Sequence, residues 1–129
     1  MKPGEALIII PTYNERENIV LLIPEIKKVF PETDILVVDD NSPDGTGQCV
    51  KEIAGSINGV NLLERPGKEG LGKAYISGFK WALERGYQIV FEMDADFSHD
   101  PKYLPDFLAA IQENDLVIGS RYKSGVNVV

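Results

Sequence analysis

Two carboxylates separated by a single residue, Asp94 and Asp96, follow directly on the apolar run 88–93 (QIVFEM). Hard divalent cations prefer oxygen ligands, and two acids this close would present a charge that such a cation neutralises. The run before them reads as a buried strand. Behind them Asp100 is placed as an N-cap and Pro101 as the first position of a helix over 101–113. Both acids therefore fall at the C-terminal end of a strand, where open α/β sheets bind ligands. In a chain this rich in Asp an Asp-x-Asp arises by chance about as often as not, so its meaning depends on the elements around it.

Those elements alternate. Residues 6–10 (ALIII), 35–38 (ILVV) and 60–63 are short apolar runs of the kind buried on both faces of a parallel sheet, and 116–118 with its neighbours adds a fifth strand after 88–93. Between them lie helical patterns: 17–30 with Ile19, Val20, Ile23, Ile26 and Phe30, interrupted by Pro24; 46–57 with Cys49, Val50, Ile53 and Ile57; and 72–84 with Ala74, Tyr75, Phe79 and Ala82. The tail 123–129 shows no periodicity. Strands alternating with helices predict an α/β fold, a Rossmann-like mostly parallel sheet flanked by helices with right-handed crossovers. All loops that follow strands then lie along one edge. Tyr13, Glu15, Asp39, Asp40, Lys68, Asp94, Asp96 and Arg121 would converge there on one crevice.

The 129 residues predict a single domain over 1–129. A net charge of −7 argues against nucleic acid, whose phosphates attract basic surfaces. One cysteine, Cys49, excludes an internal disulfide and suits a reducing cytosol. No apolar run approaches the ~18 residues of a membrane span, and no signal-peptide pattern opens the chain, so a soluble cytoplasmic protein is expected.

Three ligand chemistries fit poorly. A dinucleotide site needs Gly-x-Gly-x-x-Gly in the first strand-to-helix turn, and PTYNER has no glycine there. The stretch 67–74 (GKEGLGKA) nearly matches a phosphate loop, but Ala74 stands where a hydroxyl must bind magnesium. Asp39 and Asp40 after ILVV look like the acidic pair of a receiver-type phosphorylation switch. In that family, however, the pair ends the first strand, and here a complete strand, loop and helix precede it. A nucleotide-sugar transferase fits better. Pro11, Tyr13, Val38, Glu15 and Asp40 supply apolar walls and a carboxylate for base and ribose. Asp94 and Asp96 suit a cation on the diphosphate, and Arg121 adds a fixed positive charge.

PTYNERENI, VVDDNSPDGT, GLGKAYISGF, MDADFSHDP and GSRY, in this order and spacing, resemble the polyprenol-phosphate (dolichol-phosphate) mannosyltransferases of glycosyltransferase family 2, from Ala6 to Tyr122. The resemblance implies a GT-A fold, GDP-mannose as donor, a polyprenyl phosphate acceptor at the cytoplasmic membrane face, a Mg2+ or Mn2+ ion, and inversion at the sugar carbon. It places Pro11, Tyr13, Glu15, Val38 and Asp40 around the nucleoside. By the same resemblance Asp94, Ala95, Asp96 and Arg121 would lie by the diphosphate, with Asp94 and Asp96 on the metal and Asp94, Asp96 and Arg121 as the catalytic set. Sister enzymes that move glucose or another sugar from a UDP-sugar share the acidic pair and the Asp-x-Asp but differ at SPDGT, GLGKAY and SHDP. Ser98 stands where some relatives place a further metal ligand, and His99 reads as a loop-stabilising residue.

Duller roles are open to several of these residues. Tyr13 and Asn14 suit a turn, Asp44 and Gly45 shape the next turn or cap the next helix, and Asp39 braces its loop. Lys68 and Lys73 suit either phosphate contact or solvated surface. The relatives continue beyond Gly-Ser-Arg-Tyr into an acceptor-site segment and amphipathic or membrane helices. A chain ending at Val129 would lack them, and would then bind donor without transferring efficiently or rely on a membrane-anchoring partner.

Overall fold

A computed structural model of the chain describes residues 5–67 and 70–95, together with strands at 117–119 and 126–128. The helix expected over 101–113 lies outside the described residues, as do Lys68, Asp96, Ser98, His99, Asp100 and Arg121. The described elements run β1 (Ala6–Thr12), α1 (Arg16–Val29), β2 (Asp34–Asp39), α2 (Thr46–Ser56), β3 (Val60–Glu64), α3 (Leu71–Glu84), β4 (Ile89–Glu92), β5 (Val117–Gly119) and β6 (Val126–Val128). The first four strands pair in parallel in the order β3-β2-β1-β4. Strand order reverses direction between β1 and β4, which makes their C-terminal ends the topological switch point of the sheet.

Every residue of β1 is buried, as expected of a central strand covered on both faces. Alternation sorts its side chains into two cores. Ala6, Ile8 and Ile10 pack with Ile35, Val37, Phe91 and Met93 under α1 and α2, whereas Leu7 and Ile9 pack with Leu36, Val38 and Ala74 under α3. The α3 layer sits close because of Gly78. A Cβ there would lie 2.7 Å from Ile9 Cγ2, so only glycine lets the helix approach the sheet this closely.

The strand continues through Pro11, two residues past the apolar run, and a proline there needs explaining. The Ile9 carbonyl accepts from Met93 N on the β4 side, and the Thr12 carbonyl accepts from Asp40 N on the β2 side. Alternate residues thus face alternate neighbours. Pro11 faces the β4 side beyond the last paired residue, Glu92, where its missing N–H leaves no ladder bond unmade. Helix α1 likewise runs unbroken across the exposed Pro24, because Ile19, Leu22, Ile23 and Ile26 are all buried beneath it. That apolar face outweighs a mid-helix proline, which costs about 3 kcal/mol.

The tail differs from its aperiodic reading. Residues Val126–Val128 form β6, paired antiparallel with β5, which is the strand expected at 116–118 displaced by one residue. Three residues are too few to show a period of two, so the strand has no signal in the sequence. Among the described residues no helix is long and apolar enough to cross a membrane.

Candidate active site

At the N-terminal edge of the sheet, side-chain bonds tie elements together. Tyr87 donates its hydroxyl to Asp34 Oδ2 at 2.6 Å, and Lys27 Nζ donates to the Thr33 carbonyl at 2.6 Å. The chemistry-bearing residues lie at the opposite, C-terminal edge, and alternation again decides which of them share a face. Thr12 and Asp39 continue the α1/α2 side, where a Cβ on Gly47 of α2 would come within 3.5 Å of Asp39 Oδ2. Pro11, Val38, Asp40, Arg65 and Asp94 continue the α3 side by the same count of two from Ile9, Leu36, Leu63 and Glu92.

On the α1/α2 side the first two loops are laced together. The Asp39 carboxylate, 2% exposed, accepts from Thr12 Oγ1 at 2.7 Å, from Ser42 N at 3.0 Å and from Ser42 Oγ at 2.6 Å. It is therefore committed to the loop, as its bracing role predicts. Helix α1 has no side-chain cap of its own. Its entry is satisfied instead from the second loop: Asn14 N donates to Ser42 Oγ (2.9 Å), Glu15 N to Thr46 Oγ1 (3.2 Å) and Arg16 N to Asp44 Oδ2 (3.2 Å). Asp44 serves both helices, since its Oδ1 also accepts from Thr46 N at 3.0 Å and from the Thr46 hydroxyl. Asn14 (φ 55°) and Asn41 (φ 54°) take the left-handed conformation that these tight turns require. Asn14 is thus a turn former.

Partial burial of the Asp44 carboxyl opposes ionisation, but the hydrogen bonds from Thr46 and Arg16 and the Arg16 charge outweigh it and hold the group below its ordinary value of 3.8. A depressed carboxyl contributes stability that is present above the unfolded value and lost as the pH falls through the folded one. Asp44→Ala is accordingly expected to lower the melting temperature at neutral pH, with the gap to the parent chain closing as the pH drops below 3.8; a gap that stayed constant would show that the charge is not what Asp44 contributes.

On the α3 side the contacts are charged. Asp40 is 5% exposed and pairs with Arg65, whose Nε lies 3.4 Å from Asp40 Oδ1. Asp94 accepts a hydrogen bond at Oδ1 from the Tyr75 hydroxyl, 3.0 Å away on α3. Glu92, two residues before Asp94 on the same side of the strand, has its carboxyl raised above 4.5, first by burial and then by the Asp94 charge. Two carboxyl groups, Glu92 and Asp94, thus stand close together at the end of β4, beside the switch point. A cleft of ≈ 460 Å³ lined by Asn14, Glu15, Arg16, Glu17, Asn18 and Asp44 opens on the α1 side and meets the expected site only at Glu15.

The family model described as Glycosyl transferase family 2 matches residues 7–129. The chain belongs to this family. The family 2 chain is 52% identical over 123 residues to the undecaprenyl-phosphate mannosyltransferase of Micrococcus luteus, covering 95% of this chain and 51% of that protein. It is 50% identical over 124 residues to the polyprenol monophosphomannose synthase of Mycolicibacterium smegmatis, covering 95% and 47%. It thus spans about half the length of the curated relatives it matches. Among solved structures it is similar to the mannosyltransferase PcManGT of Pyrobaculum calidifontis in complex with GDP-Man and Mn2+ (TM-score 0.64, 28% identity, 74% of this chain and 28% of that one). It is also similar to S. aureus TarS 1-349 in complex with UDP-GlcNAc (TM-score 0.64, 27% identity, 89% and 32%). The expected GT-A-type parallel sheet flanked by helices agrees with these neighbours.

In the family 2 chain the described site residues stand in three groups. Tyr13, 37% exposed, is open to solvent at the end of β1, and Glu15 is half-buried with its Oε2 accepting from Asn18 Nδ2 at 2.9 Å. Pro11, Val38 and Ala95 are buried, the last two at 0% and 3% exposure, so little of their side chains reaches the surface at this edge. Asp40 and Asp94 share the α3 face, each held by another side chain. Both holding residues, Arg65 and Tyr75, escape the sequence reading. Arg65 does so because β3 extends one residue beyond its apolar run to Glu64. Tyr75 does so because its helical spacing marks it as core, and only the hydroxyl departs from that role.

Proposed function

We propose that residues 1–129 form the nucleotide-sugar-binding part of an enzyme that transfers mannose, with inversion, from GDP-mannose to a polyprenyl monophosphate at the cytoplasmic face of the membrane. The observation that carries this reading is the position of Asp94, a carboxylate at the β1/β4 switch point on the face it shares with Asp40, in a chain half identical to two named polyprenol-phosphate mannosyltransferases. Pro11, Tyr13, Glu15, Val38 and Asp40 surround the nucleoside, and Asp94, Ala95, Asp96 and Arg121 lie by the diphosphate.

Asp94 with Asp96 would hold Mg2+ or Mn2+. Among the described residues no three His, Cys, Asp or Glu side chains gather into a metal site, and Asp94 is the described member of the pair. Its hard oxygen donors, with Oδ1 held by the Tyr75 hydroxyl, fit a cation of this class. When bound, the ion would offset the charge that grows on the departing nucleoside diphosphate. A phosphate monoester has a second pKa of about 6 and is largely a dianion at neutral pH, so the acceptor needs little help from a general base. What this part of the enzyme contributes is orientation: the walls and carboxylates hold the donor so that its sugar carbon faces the acceptor.

Calorimetry with GDP-mannose and with UDP-glucose, each with and without Mn2+, tests the reading. Binding of GDP-mannose that depends on Mn2+ is expected. Metal-dependent binding of UDP-glucose alone would move the donor to the UDP-sugars, and no metal-dependent binding of either sugar nucleotide would sink the assignment.

A further inference from the structure

The Tyr75 side chain is divided between two tasks. Its ring belongs to the apolar layer between α3 and the sheet, packed against the cluster of Leu7, Ile9, Leu36 and Val38, and it stacks on Phe79 one turn later with ring centroids 6.5 Å apart and planes at 27°. Its hydroxyl leaves that layer and donates to Asp94 Oδ1 at 3.0 Å. A purely structural residue at this position needs only the ring, since a phenylalanine would fill the same space. The hydroxyl is usable because of where the backbone puts it. Gly78, three residues further along α3, lets the helix settle onto Ile9, and Asp94 points to the α3 side because it lies two residues beyond Glu92 on β4.

We infer that Tyr75 is a positioning residue, whose hydroxyl fixes the rotamer of Asp94 and so sets the direction from which its carboxylate meets a divalent cation. The inference rests on the proposed role of Asp94 as a cation ligand and adds the group that orients it. A hydrogen bond from a neutral hydroxyl leaves the carboxylate charged while removing its rotational freedom. Ligating carboxylates are characteristically held this way, and loss of such an outer partner typically costs about 10–100-fold in metal affinity. The stacked Phe79 and the close α3 packing supply the rigidity that makes the bond directional.

The test is a Mn2+ titration of the chain in the presence of GDP, followed by the EPR signal of free Mn2+, for the parent and for Tyr75→Phe, Phe79→Leu and Asp94→Asn. Metal-free GDP binding and the melting curve are recorded alongside. Tyr75→Phe is expected to weaken Mn2+ binding about 10-fold, while GDP binding without metal and the melting curve stay close to the parent. Phe79→Leu, which keeps the hydroxyl, is expected to hold Mn2+ more tightly than Tyr75→Phe does. If Tyr75→Phe binds Mn2+ as the parent does while Asp94→Asn does not, the positioning role is overturned and Asp94 keeps its own. Equal weakening in Tyr75→Phe and Phe79→Leu would assign the effect to packing and overturn the inference as well. Unchanged Mn2+ binding by Asp94→Asn would remove the cation reading itself, and Tyr75 with it.

Discussion

Replacing Arg65 with Ala is expected to destabilise the chain by about 3–5 kcal/mol, the usual cost of leaving a buried charge without its partner. The two side chains are 8% and 7% exposed, so water cannot take the place of the guanidinium beside Asp40. The pair also sits where β2 and β3 end side by side, with Arg65 N donating to the Asp39 carbonyl at 2.8 Å. Loosening it should therefore disturb the second loop and the entry to α1 that the loop satisfies. The double variant Arg65→Met with Asp40→Leu removes both charges and should recover most of the loss, because a buried ion pair is often worth no more than apolar packing of the same volume. Urea unfolding of the single and double variants measures both values. A single-variant loss below about 1 kcal/mol would place the pair with exposed salt bridges instead.

The second large effect concerns ligand binding. Asp94→Asn keeps an oxygen that can accept from Tyr75 and removes the negative charge, so the local packing survives and the affinity for a cation does not. With Mn2+ present, GDP-mannose affinity is expected to fall roughly 100-fold, about 2.7 kcal/mol. With Mn2+ withheld, parent and variant should bind alike. Isothermal calorimetry separates the two conditions. A loss of the same size with and without the ion would mean that Asp94 meets the sugar nucleotide directly or supports the fold, and would remove the cation from the account.

Alternation of apolar runs and helical patterns was enough to place β1 to β4 to within two residues at each end, because buried parallel strands are written as nearly continuous apolar runs and have no polar face to blur them, whereas β6 went unread. Boundaries moved where pairing, rather than composition, decides. β1 continues through Pro11 and Thr12 because β2 is still beside it at Val38 and Asp39. β3 continues to Glu64 because Asp39 is there to pair with it. Helix α1 survives Pro24 because the opposite face is buried, a fact about the neighbouring sheet that no local propensity contains.

The candidate site divides along the same line. Sequence alone determined which residue types stand at strand ends: Asp39 and Asp40 after β2, Asp94 after β4, and the turn-forming Asn14, each read from its position relative to an apolar run. It also determined family membership, since five motifs in order are a far more specific signal than any one of them.

Only the tertiary structure decided how those residues divide the work. Asp39 and Asp40 are neighbours in the chain, but alternation sends Asp39 to the α1/α2 side, where Thr12 and Ser42 consume its carboxylate, and leaves Asp40 on the other side with Arg65. Ser42 and Asp44 sit just before α2 in sequence and Thr46 opens it, yet they satisfy the entry of α1, because parallel strands bring successive loops together at one edge. Tyr75, spaced like a core residue, reaches Asp94 only because Gly78 brings α3 down onto Ile9. Sequence position records what a residue can do along its own strand or helix. Which partner it meets across the sheet depends on the register and close approach of elements far apart in the chain.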